Sequence, residues 1–127
     1  MARIRSIKPD FFASYTTAKL SIEARYLFIG LLTEADDYGI LIDSPKRIVG
    51  SVFPHDSTVT EDMVDGWLKE IAKVRSITRY KVDGGRYIAF TNWDDHQKIS
   101  HKGTARLPKP SGKTPETPPK GADHAPF

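Results

Sequence analysis

The chain has 127 residues, 39% of them apolar and 28% charged, with a formal net charge of +3 and no cysteine. That length suits one domain with a modest core, and the lack of thiols excludes disulfide staples and thiolate metal sites. The sequence contains no apolar run of the ~18 residues a membrane helix needs, and its start, MARIRSIKPD, lacks the apolar stretch of a signal peptide, so a cytoplasmic protein is expected.

Charge is unevenly spread along the chain. Residues 1–19 hold four basic and one acidic side chain, 20–74 five and ten, 75–91 four and one, and 92–127 six and four. The centre is therefore acidic, between a basic N-terminal arm and two basic stretches after residue 74.

Residues 1–19 read as that arm, a loose strand or extended segment through Arg3, Arg5 and Lys8. Pro9 and Asp10 mark a turn, with Asp10 positioned to cap a short helical turn, and Phe11 and Phe12 are expected to anchor the arm on the core. Ser21 to Asp36 predicts a core helix: Leu20, Ala24, Leu27, Phe28, Leu31, Leu32 and Ala35 recur at helical spacing behind the N-cap Ser21. Asp36-Asp37-Tyr38-Gly39 ends it with turn chemistry, and Ile40-Leu41-Ile42 reads as a short strand. Asp43-Ser44-Pro45 then starts a short helix, with proline at its first position and Ile48, Val49 and Val52 facing inward.

Thr60 caps the next helix, where Met63, Val64, Trp67, Leu68 and Ile71 form an apolar stripe and Glu61 and Asp62 occupy the first turn. A β-hairpin follows. Ile77, Thr78, Tyr80 and Val82 lead into Asp83-Gly84-Gly85, and Tyr87, Ile88 and Phe90 return. Trp93 and Ile99 are expected to pack back on the domain, with Asp94 a cap for a short turn. Six of the nine prolines lie between Pro108 and Pro126, so residues 101–127 read as a disordered basic tail.

The order helix, strand, helix, helix, strand, turn, strand predicts an α+β fold: a winged helix-turn-helix over residues 20–100, with a three-helix core, a small antiparallel sheet and a basic hairpin wing. The segments RIRSIKPDFF, LSIEARYLFIGLLTEADDYG, SPKRIVGSVFP, RYKVDGGRYIAF and HQKI resemble small bacteriophage proteins with an N-terminal winged helix. Those proteins are described as replication-initiation or helix-turn-helix DNA-binding proteins, and their architecture is similar to the N-terminal domain of DnaD-type replisome organisers. The resemblance covers about residues 3–110, and implies a protein that binds double-stranded DNA in the host cytoplasm, with a replication origin as a candidate site. Longer relatives often carry a second domain where this chain has a short proline-rich end.

The DNA-contacting candidates are the hairpin cations Arg79, Lys81 and Arg86, then Lys46 and Arg47, Arg3 and Arg5 of the arm, and Lys69 and Lys73. With Asp83-Gly84 as the loop, Lys81 and Arg86 should face each other across the hairpin. The third helix departs from the expected pattern, because Glu61, Asp62, Asp65 and Glu70 give its outer face net negative charge. That face could instead dock a replication or host protein, and Tyr26 and Ile29 on the first core helix leave room for a homodimer. No phosphate loop, nucleophile motif or pair of carboxylates in an identifiable cleft is present, so neither an enzyme nor a cofactor is expected. Asp94, Asp95, His96 and His101 lack a strict ligand spacing, so no metal is expected either.

Overall fold

In the computed structural model, which describes residues 2–116, the chain is an α+β protein. Two helical turns, α1 (Asp10–Ala13) and α2 (Tyr15–Ala18), precede the long helix α3 (Ile22–Glu34). Strand β1 (Ile40–Ile42), helices α4 (Pro45–Val52) and α5 (Glu61–Lys73), strands β2 (Ile77–Val82) and β3 (Gly85–Phe90) and a last turn α6 (Trp93–His96) complete the order. From α3 to β3 this order is compatible with the one expected from sequence.

Each long helix begins on a side-chain cap. Ser21 accepts from the Ala24 N–H, Ser44 from Arg47 and Thr60 from Met63, so a donor left unpaired by the first turn is satisfied each time. The helices pack through Ala24, Leu27 and Leu31 of α3, Ile48 of α4 and Val64, Leu68 and Ile71 of α5 onto Ile77 and Ile88 of the sheet. The α5 stripe is narrower than expected, since Met63 is exposed and Trp67 half-buried. Phe11 stacks on Phe28, 5.3 Å between centroids, whereas Phe12 remains exposed and does not anchor the arm. Asp10 opens α1 as its first residue rather than capping it.

The sheet is antiparallel in the order β1-β3-β2. The hairpin turns on Asp83 and Gly84, both with positive φ, which puts Val82 opposite Gly85 and Lys81 opposite Arg86. Alternation then sorts the faces. Ile77, Arg79 and Lys81 on β2 and Arg86, Ile88 and Phe90 on β3 share the helix side, while Tyr80, Tyr87, Ile40 and Ile42 face outward. Gly39, in the turn before β1, has φ +77° and approaches the Trp93 ring so closely that a Cβ would lie 2.6 Å from it.

Both ends of the described chain lie against this core. On the N-terminal side, Arg3 N–H donates to the Thr33 carbonyl, and Ser6 exchanges two hydrogen bonds with the Gln97 amide. On the C-terminal side, the Gly103 N–H donates to Asp37, the Tyr38 hydroxyl to the Gly103 carbonyl and the Tyr80 hydroxyl to the Pro108 carbonyl. Residues 102–108 thus cross the outer face of the sheet, where a disordered tail was expected; 117–127 lie outside the described residues. Leu107 of this segment lines the same hollow as Ile40, which is buried although it lies on the face away from the helices. Asp94 does not cap α6, whose N-cap position is Asn92 with no side-chain bond; Asp94 pairs instead with Lys102.

Candidate nucleic-acid interface

The three hairpin cations are placed in two different situations. Arg79, on the helix side of β2, is drawn inward to two carboxylates. Its Nε and Nη2 contact Asp43 at 2.7 and 3.0 Å, and Nη2 contacts Asp65 at 2.8 Å. Asp65 is shared with Lys69, at 3.2 Å. The hydrogen bonds from Arg79 and then from Lys69 hold the Asp65 carboxyl below its ordinary range. With side-chain exposures of 20% for Arg79 and 5% for Asp43, this cluster is a bracket tying the end of β1 and the middle of α5 to the hairpin. Local sequence spacing does not reveal this cluster, because Arg79 meets its carboxylates across 36 and 14 residues.

Lys81 and Arg86 sit one pleat further toward the wing tip, beyond the last core residue on that face. Both are exposed, they occupy one cross-strand pair, and neither has an ion pair among the described residues. The backbone of Arg86 accepts a hydrogen bond from the Asp43 N–H, so the wing leaves the sheet where the α4 cap begins. Lys46 and Arg47, in the first turn of α4, are exposed close by. Arg47 also shares a shallow hollow with Arg3 at the edge of β1. Lys69 lies on the wing side of α5 through its bond to Asp65, and Lys73 is one turn nearer the base of the hairpin.

Comparison of the chain with protein-family models, with curated proteins and with solved structures finds no match.

Arg5 is not a free arm cation. Its guanidinium donates to the Leu32 and Ala35 carbonyls and to Asp37, and lies 5.1 Å from the Trp93 ring centroid. It is the cation at the C-terminal end of α3, where the helix dipole favours positive charge, and only 6% of its side chain is exposed. Arg3 lies 3.8 Å from the same Asp37 but is half exposed. The four carboxylates of α5 also divide. Asp65 belongs to the Arg79 bracket, and Glu70 accepts from the Ser21 N–H and hydroxyl, fastening the start of α3. Glu61 and Asp62 remain exposed in the first turn. Tyr26 is exposed and Ile29 half-buried on the outer side of α3. Among the described residues no group of three or more His, Asp or Glu could hold a metal ion, and no helix is long and apolar enough to cross a membrane.

Proposed function

We propose that the chain is a winged helix-turn-helix DNA-binding protein of the phage replication-initiation type, with α4 and α5 as the helix-turn-helix and β2–β3 as the wing. It would work in the host cytoplasm, at the start of replication or as a small regulator, without catalysis or a cofactor of its own. The helix–strand–helix–helix–strand–strand order from α3 to β3 supports the fold reading.

The observation that carries the DNA reading is the Lys81–Arg86 pair. Two cations facing each other across a hairpin repel, and here they do so in the open, with no ion pair to either among the described residues. A phosphate backbone relieves that repulsion. The adjoining Lys46, Arg47 and Lys69, with Arg3 on the arm, extend the positive surface, while Arg79 positions the wing and Arg5 holds the arm. The acidity of α5, the main argument against DNA, is weaker than its composition suggests. Asp65 is neutralised by Arg79 and Lys69, and Glu70 is turned to α3. The same two assignments weaken the alternative of a protein partner docked on an acidic α5, to which only Glu61 and Asp62 remain available.

Contacts of this kind read the backbone more than the bases, so binding should depend strongly on salt and weakly on sequence. Fluorescence anisotropy of labelled random duplex DNA, titrated across salt concentrations, tests this. The log of the affinity should fall linearly with log salt, and the double variant Lys81→Ala/Arg86→Ala should reduce the slope by about 2, one unit for each lost phosphate contact. Absence of binding even at low salt would overturn the DNA reading and favour a partner at Glu61 and Asp62.

A further inference from the structure

The end of the hairpin remote from the wing holds a cleft of about 420 Å³ that the DNA reading does not use. The helix α5 ends there in an unusual way. The N–H of Ser76 donates to the Ile71 carbonyl and that of Arg75 to Ala72, the paired closure that terminates many helices with glycine in the left-handed position. Here that position is Arg75, at φ +64°. A Cβ is disfavoured in this conformation, and glycine would occupy it at lower cost. The opposing loop repeats the feature, with Asn92 at φ +55°. The two loops are fastened together, since the Thr91 hydroxyl donates to the Arg75 carbonyl and the Thr91 N–H to that of Ser76.

Both left-handed residues border the cleft, and its wall is a run of aromatic rings. Phe11 stacks on Phe28, Phe28 meets Phe90 edge-on and Phe90 leans on Trp93, with successive centroids 5.3, 5.3 and 5.4 Å apart. The lining contains Lys8 and Arg75 against a single carboxylate, Asp10. Lys8 donates to the Asp95 carbonyl, whereas the exposed Arg75 guanidinium has no ion pair among the described residues.

We propose that this cleft binds a small anion carried on an aromatic body, the ring packing on the Phe11–Phe28–Phe90–Trp93 wall and the anionic group pairing with Arg75. An arginine in a glycine position is then accounted for by the charge it places at the mouth of an apolar cleft. The inference is independent of the DNA reading, because the cleft lies about 17 Å along the hairpin from the wing, the length of a six-residue strand.

The test is titration of isotopically labelled protein by amide NMR with 3-phenylpropionate, deoxyadenosine monophosphate and inorganic phosphate. Saturable shifts confined to residues 6–11, 75–76 and 90–97 are expected with at least one aromatic anion and not with phosphate. Which of the two binds tighter distinguishes a carboxylate from a phosphate ligand. Arg75→Gly is the decisive variant, because removal of the left-handed side chain should raise the melting temperature by roughly 2–6 °C while weakening binding by roughly tenfold or more. Arg75→Lys should restore most of the affinity. No localised shift with either aromatic anion at millimolar concentration, equal binding of inorganic phosphate, or unchanged affinity in Arg75→Gly would each overturn the proposal.

Discussion

Replacing Arg79 by alanine would leave the Asp43 carboxylate, nearly closed off from solvent, without its two-pronged partner. A buried charge stripped of its counterion destabilises far more than a surface pair stabilises. Arg79→Ala should therefore cost about 3 kcal/mol in urea unfolding, whereas Lys81→Ala, one pleat away and exposed, should change stability by no more than ~0.5 kcal/mol. The pair of measurements separates a positioning arginine from a contacting lysine. If both variants lost similar stability, Arg79 would not be the bracket described above. Alternation alone gives Arg79 and Lys81 the same face, and their difference comes from depth: Arg79 lies opposite buried Ile88 and Lys81 opposite exposed Arg86.

At the scale of elements, the local signals in the sequence were strong where one segment decides its own structure. The caps Ser21, Ser44 and Thr60, the proline at the start of α4 and the Asp83-Gly84 turn all act within a few residues, and each is found where its chemistry requires. The Lys81–Arg86 register follows directly from that turn. Arg5 on the end of α3, Arg79 on Asp43 and Glu70 on Ser21 could not be read the same way, because each joins segments 27 to 49 residues apart. Glycines in helices show the same division. Gly50 and Gly66 sit in α4 and α5 with open space where a Cβ would go, while a Cβ on Gly30 would lie 2.5 Å from Val52 where α3 crosses α4. Gly50→Ala and Gly66→Ala should each stabilise by about 0.5–1 kcal/mol. Gly30→Ala should destabilise, since one helix must shift to admit it. Thermal unfolding of the three single variants checks the ordering, and stabilisation by Gly30→Ala would contradict the close crossing of α3 and α4.

For the whole molecule, the sequence composition misled most at the C-terminal side. Proline, lysine and glycine after residue 101 suggest a solvated chain, yet residues 102–108 bond across the outer face of the sheet, with Leu107 beside the buried Ile40. Such a strap forms without regular secondary structure, by supplying backbone partners to Tyr38, Tyr80 and Asp37, and no periodic pattern marks it. Tyr80 reports on it. Burial first, then the nearby Asp36 and Tyr87, push its hydroxyl up to about 12. An unfolded tyrosine ionises near ~10, so Tyr80 contributes stability that is complete below that pH and is lost as pH rises toward the folded value. A chain ending at residue 101 should lose about 2–3 kcal/mol at neutral pH, through exposure of the Ile40 side of the sheet and loss of the hydroxyl and carboxylate partners. In an ultraviolet titration of tyrosinate, the most alkaline transition should move down toward ~10 in that shortened chain. Tyr80→Phe in the full chain should abolish the same transition, which assigns it. An alkaline transition and a stability both unchanged by the truncation would mean that the segment does not hold the sheet, and the outer face would need another cover.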